Sequence, residues 1–342
     1  MSHGLSTGGL EPAAPLTTDD NDNDSLWEPD NISTSSLSSS VLNYRKKNGR
    51  TYSNFKDAED LFPNDEKQQE SLDIMHHAYT LCGDGKLFQA PVESPQSVLD
   101  VGTGTGIWAI DFADEFPEAE VIGIDLSPIQ PAWVPPNCRF ELDDANLEST
   151  FADEKFDFIH VRGLAGCIED WPKFFQRVLR CLKPGGWIEH VEASPTITSD
   201  DNSIPADCVS YQWTEIFIQA GKRIGKSFDP NENNKAWMEA AGFTDVGTKE
   251  YKMPIGGWSN DRRLKEVGQY NQLGCEQGLE GYCLRILSEE LLWRKDEIEV
   301  FLAKTREAMK DQRIHAYYRL KTTFARKPPL TAQEQRVVIR ER

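Results

Sequence analysis

The stretch Val98-Leu99-Asp100-Val101-Gly102-Thr103-Gly104-Thr105-Gly106-Ile107-Trp108 sets three glycines between an apolar, β-branched run and an amphipathic one. That order predicts a strand, a tight turn and a helix start, with Ile107, Ile110 and Ala113 at helical spacing. Glycines permit the turn and let a ligand lie against bare backbone. The helix N-terminus adds unpaired N–H groups. The spacing is G-x-G-x-G, one residue shorter than the dinucleotide fingerprint. No lysine follows, which excludes a Walker-type phosphate loop. A second stretch, Val121-Ile122-Gly123-Ile124-Asp125, is a short apolar strand closed by a carboxylate. An acid at that point of a βαβ unit can take both hydroxyls of a ribose. A third, Phe140-Glu141-Leu142-Asp143-Asp144-Ala145, is a strand end followed by two acids. A fourth, Lys183-Pro184-Gly185-Gly186-Trp187-Ile188, is a turn feeding another strand. A Rossmann-like domain for another nucleotide fits these residues too.

Together the four stretches resemble the class I S-adenosylmethionine-dependent methyltransferases. The resemblance implies an α/β fold with a Rossmann-like, seven-stranded, mostly parallel sheet, and S-adenosyl-L-methionine as cofactor. It implies that Asp100, Gly102, Thr103, Gly104 and Gly106 surround the methionine part. Asp125, with Leu126, would hold the ribose; Asp143, Asp144 and Ala145 would lie against adenine. A nicotinamide-dependent dehydrogenase is disfavoured by the glycine spacing and by Asp143-Asp144.

The elements that position these groups come from the rest of the 342 residues. A hydrophobic content of 38% and nine Trp permit a full core. The formal charge of −19 repels a polyanion, so direct nucleic-acid binding is not expected. Seven scattered Cys with no C-x-x-C pair suggest neither a zinc site nor a disulfide framework. A reducing compartment, cytoplasm or nucleus, fits best. No signal core and no run of about 18 apolar residues is present, so no membrane span is expected.

Residues 1–44 hold seven acids and no Lys or Arg, and read as a disordered acidic tail. A methyltransferase domain is expected over 45–328, with a basic C-terminal tail over 329–342. The cluster Arg45-Lys46-Lys47 with Arg50 fits a nuclear signal or an exposed turn. Pro63-Asn64-Asp65 opens a helix to about Cys82, with His76 on the face of Leu72, Met75 and Tyr79. His77 groups with Ile74, Ala78 and Leu81. Phe156–Arg162 reads as the fourth strand, Trp171–Cys181 as a crossover helix and Gly186–Val191 as the fifth strand. Helical cap segments are expected at about 200–230 and 256–311, and His315–Arg326 as a last strand, antiparallel beside the fifth.

A narrower resemblance rests on Gly49-Arg50-Thr51-Tyr52, Pro63-Asn64-Asp65-Glu66, the His76-His77 pair and Gly85-Lys86-Leu87. Ile107-Trp108-Ala109-Ile110-Asp111, Ser127-Pro128-Ile129-Gln130-Pro131 and Asp170-Trp171-Pro172 add to it. From about Tyr44 to Pro328 the chain resembles the fungal methyltransferases similar to the secondary-metabolism regulator LaeA. This implies either a small-molecule acceptor, as in secondary metabolite biosynthesis, or a regulatory role exercised through protein partners.

The chemistry expected is displacement at the methyl carbon of a sulfonium. The cofactor carries the activated group, so the protein supplies position and a dry pocket. Val161 and Arg162 stand at the carboxyl end of the fourth strand, near the expected methyl end. Tyr52 or Trp108 would offer the sulfonium an aromatic face. If the acceptor is a hydroxyl, His160, His190 and His77 are candidate bases. Glu189, His190 and Glu192 sit near the exit of the fifth strand, where one of them can line the acceptor pocket. No metal site is expected.

Overall fold

The computed structural model describes residues 42–55 and 60–331. The acidic tail expected over 1–44 and the basic tail expected over 329–342 lie almost wholly outside the described residues. The chain opens on a hairpin, β1 (Arg45–Lys47) and β2 (Arg50–Tyr52). Asn48 and Gly49 turn it, both at positive φ, as a two-residue hairpin requires. Helix α1 (Glu66–Cys82) follows, N-capped by the Asp65 side chain on Gln68 N–H. Such a cap contributes about 1 kcal/mol.

The alternating unit then begins: β3 (Ser97–Val101), α2 (Ile107–Glu115), β4 (Glu120–Asp125), β5 (Cys138–Leu142) and β6 (Phe156–Arg162). After them come α3 (Trp171–Cys181), β7 (Leu182–Ala193), α4 (Val209–Ile224), α5 (Asn234–Ala241) and β8 (Thr244–Pro254). Helix α6 (Arg262–Arg285) runs into a π turn, Ile286–Glu290, before α7 (Lys295–Lys310) and β9 (Tyr317–Arg326). The sheet order is β5-β4-β3-β6-β7-β9-β8. All neighbours from β5 to β7 are parallel, and β9 is antiparallel to both β7 and β8. This is the seven-stranded, mostly parallel α/β sheet expected. The fifth strand is longer than its expected span, because β7 continues to Ala193 against β9.

Both faces of the sheet are covered. Leu99, Ile122, Ile159 and Ile188 pack under Phe175 and Val178 of α3 and Met238 of α5. On the other face, Val98, Val121 and Phe158 meet Trp108 and Phe112 of α2. Of the stripe expected on α2, Ile107, Ile110 and Ala113, only Ala113 is buried; Trp108, Ala109 and Phe112 are buried with it in place of the two isoleucines. The larger aromatic area of Trp108 and Phe112 decides which face turns inward.

The segments expected to cap the sheet do form helices. A separate core of Ile216, Phe217, Leu279, Leu287, Ile298 and Phe301 joins α4, α6 and α7. Helix α6 lies close against α1 because glycines face it. A Cβ on Gly274 would meet Met75 Sδ at 2.6 Å, and one on Gly278 would strike Ser71. Ser71 Oγ uses the short separation to donate to Gly274 O at 2.8 Å. Among the described residues, no helix is long and apolar enough to cross a membrane.

Candidate active site

A cavity of about 640 Å³ lies over the carboxyl ends of β3, β4, β6 and β7. That is the crevice where ligands bind in parallel sheets. One end is polar, lined by Gly102–Thr105, Asp125, Leu126, Ser127, Asp143, Asp144 and Ala145. The other is apolar and roofed by α1, α4, α6 and α7 through Met75, Tyr79, Trp213, Phe217, Leu279, Tyr282 and Met309.

Gly102, Gly104 and Gly106 hold φ of 69°, 57° and 81°, a region that β-carbon sterics close to most residues. Their roles differ. A Cβ on Gly106 would run into the Phe140 ring, and one on Gly102 would meet Leu164 Cδ2 at 2.5 Å. A Cβ on Gly104 would meet only Leu72 Cδ1, at 3.4 Å, so Gly104 opens onto the cavity. Gly106 does not line the cavity; it lets the turn close on Phe140.

The turn is held from beneath. Asp100 accepts from Thr103 Oγ1 at 2.5 Å and faces His160 Nδ1 at 2.7 Å. His160 stacks on Trp108 with ring centres 3.7 Å apart. Burial of His160 drives its pKa down to about 4. Its Nε2 is buried with no hydrogen-bond partner. Asp100 and His160 thus stand behind the turn and not in the cavity.

Asp125 closes β4 and faces the cavity. Its carboxylate accepts from Gly104 N at 2.8 Å and Ser127 N at 3.0 Å. Burial, with Asp60 nearby, pushes its pKa up to about 7. Asp60 also lines the polar end, and burial lifts it to about 6. Asp143 spends its oxygens on Asp144 N and Thr150 Oγ1, while Asp144 caps Asn146 N. This end suits an adenosyl group. It has a carboxylate at the strand end, a bare glycine beside it, and a second acidic turn one strand further out.

The hairpin and the start of α1 fasten that end. Arg50 makes a two-pronged bond to Asp65, at 2.6 and 2.7 Å. Asn64 donates to Ser127 Oγ at 3.0 Å and Ser53 donates to Leu126 O at 2.5 Å. Arg50 is 7% exposed, so it is no part of an exposed basic signal.

Several expected contacts are not made. Tyr52 and Trp108 are 2% and 1% exposed and do not line the cavity. Trp108 is held in the α2 core, donating to Leu87 O at 2.9 Å. Neither ring can reach a sulfonium there. Val161 is buried in the β6 core, while Arg162, next along, does line the cavity. Of the three candidate bases, none lines it. His77 is exposed and packs edge-on against Tyr270. His160 lies beneath the glycine turn. His190 is wholly buried, with Nδ1 2.7 Å from Asn234 Nδ2.

Other residues take those places. His76, not His77, lines the cavity, between Arg162 and Asp111 at 3.0 and 2.9 Å. Glu192 lines it where Glu189 and His190 do not; Glu189 instead accepts from Gln89 N and Ala90 N, both at 2.6 Å. Asp60, Asn64 and Gln68 line it too, none of them expected there. The available signal was the Asp65 cap, which fixes the chain just before α1 over the sheet.

A family model described as a methyltransferase domain matches residues 74–248. Among curated proteins, the methyltransferase pytC of Aspergillus terreus is 38% identical over 86% of this chain and 92% of its own length. The secondary metabolism regulator LAE1 of Cochliobolus heterostrophus is 35% identical over 82% of this chain and 94% of that one. The secondary metabolism regulator laeA of Gibberella zeae is 33% identical over 82% and 92%. The chain belongs to the S-adenosylmethionine-dependent methyltransferases, together with these fungal relatives.

Proposed function

We propose that this enzyme methylates a small, largely apolar molecule of fungal secondary metabolism. The observation that carries this reading is one cavity with two unlike ends, a polar one at the glycine turn and a roofed apolar one beyond it. A pocket closed over by α4, α6 and α7 suits a small guest better than a polymer. The net charge of −19 also disfavours nucleic acid.

When bound, the cofactor supplies a methyl group already activated on sulfonium sulfur. Asp125 would take the ribose hydroxyls, and Gly104 leaves the methionine part room beside it. Asp144 and Ala145 line the wall expected to meet adenine. Arg162 and the end of β6 flank the junction of the two ends. The roof would hold the acceptor in line with the methyl group; alignment of that kind lowers a barrier by roughly 7–11 kcal/mol. Incubating fungal extract with the protein and isotope-labelled methyl donor tests the proposal. One defined compound heavier by a single labelled methyl group is expected; label only on protein would count against it.

A second reading is favoured by the relatives that are named regulators. In it the same cofactor site serves a complex with protein partners in the nucleus. A cofactor-site variant that leaves metabolite output unchanged in cells, while partners are still retained, would favour it.

A further inference from the structure

The apolar end of the cavity carries one feature that an apolar guest alone does not explain. Glu192 lines it, 4% exposed, one residue beyond the point where β7 pairs with the end of β6. The ladder sets Arg162 opposite Val191, and Gly163 N donates to Val191 O at 3.1 Å. Glu192 is therefore the next position outward from the strand end that faces the junction of the two ends. Its carboxylate pairs with no lysine or arginine among the described residues. It accepts from Ala165 N at 3.0 Å and stands 3.6 Å from His190 Nε2. Both contacts use Oε2. A buried carboxylate with one oxygen left over is costly unless something donates to it.

The bond from Ala165 N is what holds the Glu192 carboxylate, and His190 lies behind it. Asn234 Nδ2 lies 2.7 Å from His190 Nδ1, while Nε2, 3.6 Å from Glu192 Oε2, is buried with no hydrogen-bond partner. His190 is wholly buried. It backs the carboxylate and does not reach the guest.

We propose that Glu192 receives the proton of an acceptor hydroxyl, so that this site performs O-methylation of an apolar phenol or alcohol. The inference rests on the small-molecule reading above. The acceptor's O–H bond breaks and its proton passes to Glu192 Oε1. An oxygen electron pair forms the new bond to the methyl carbon. The methyl–sulfur bond breaks with its electrons on sulfur, leaving a neutral thioether. No further reactant is needed. General-base help of this kind is worth about 10²–10⁴-fold.

The test offers the purified protein, with labelled methyl donor, a panel of one- to three-ring phenols and alcohols and their matched amines. Wild type is expected to label oxygen. Glu192→Gln keeps an oxygen for Ala165 N–H. It should bind donor within threefold of wild type by calorimetry and keep its melting temperature. Its kcat should fall at least 100-fold with KM changed less than fivefold, and then climb with pH as the phenol ionises in solution. Glu192→Asp should recover part of the rate. Labelled amines in place of oxygen, or a Glu192→Gln variant with wild-type kcat, would overturn the proposal alone. Wild type that labels nothing in the panel would overturn it together with the small-molecule reading.

Discussion

Arg162 Nη2 stands 3.0 Å from Nδ1 of His76. A guanidinium has donors and no acceptor, so Nδ1 must accept and the His76 proton must sit on Nε2. There it meets Asp111 Oδ2 at 2.9 Å. A chain of three residues on α1, α2 and β6 thus holds the one arginine of β6 that lines the cavity. Burial lowers the His76 pKa below its usual 6.5, and the neighbouring Arg162 charge opposes protonation too.

The sign of the resulting pH effect follows. The unfolded chain binds a proton at His76 more readily than the folded one. Stability from this site is full above about pH 6.5 and is lost as pH falls through the folded value. Melting temperatures taken from pH 8 to pH 5 should therefore drop more steeply in wild type than in His76→Gln. Parallel curves would show that His76 carries none of this pH dependence.

Asp125 has the opposite linkage. Its folded pKa is raised, to about 7, so the folded chain favours the protonated acid and this site loses stability as pH climbs toward 7. In the proposed donor site the ribose hydroxyls would donate to the ionised carboxylate, so donor binding would run against that trend. Donor affinity should rise with pH up to about 7 and flatten beyond. Asp125→Asn should weaken binding roughly 10- to 150-fold, the worth of a charge-assisted bond of about 1.5–3 kcal/mol. It should also flatten the pH dependence. Calorimetry at pH 6, 7 and 8 checks both.

Gly106→Ala should behave as a folding variant. Its Cβ would run into the Phe140 ring at a positive φ, an overpacking and strain cost of about 2–4 kcal/mol. Chemical denaturation should show the loss. Donor affinity of the remaining folded protein should stay within threefold of wild type.

Trp213→Ala tests the roof. Trp213 lines the apolar end and packs on Phe217 with ring centres 4.8 Å apart. Its removal should raise acceptor KM at least tenfold and leave donor affinity within twofold, measured once an acceptor is in hand. A matching loss of donor affinity would mean that the two ends of the cavity are not separable.

The sheet was readable because its strands are apolar runs closed by glycines or acids, and such local patterns survive folding. Asp125, Asp144 and the glycine turn lie at strand ends, so reading the strands places them at the crevice. The histidines were not readable in this way. His76 and His77 are adjacent in sequence, and only the approach of α2 and β6, bringing Asp111 and Arg162, turns one inward. Tyr52 and Trp108 have the right chemistry for a sulfonium, but core packing claims both. Glu192 differs from Glu189 by three positions on one strand. Its value comes from the loop after β6, whose Ala165 N–H it accepts. Contacts between segments far apart in the chain leave no periodic trace.

The proposed donor site depends on Gly104 and Asp125 acting together. Aspartate tolerates the left-handed conformation better than most residues, so Gly104→Asp should fold while its carboxyl fills the space beside Asp125. Calorimetric titration of S-adenosylmethionine into both proteins is the most direct measurement. One micromolar site is expected in wild type, and no binding to a Gly104→Asp protein whose melting temperature lies within a few degrees of wild type. Equal affinity in the two would contradict it.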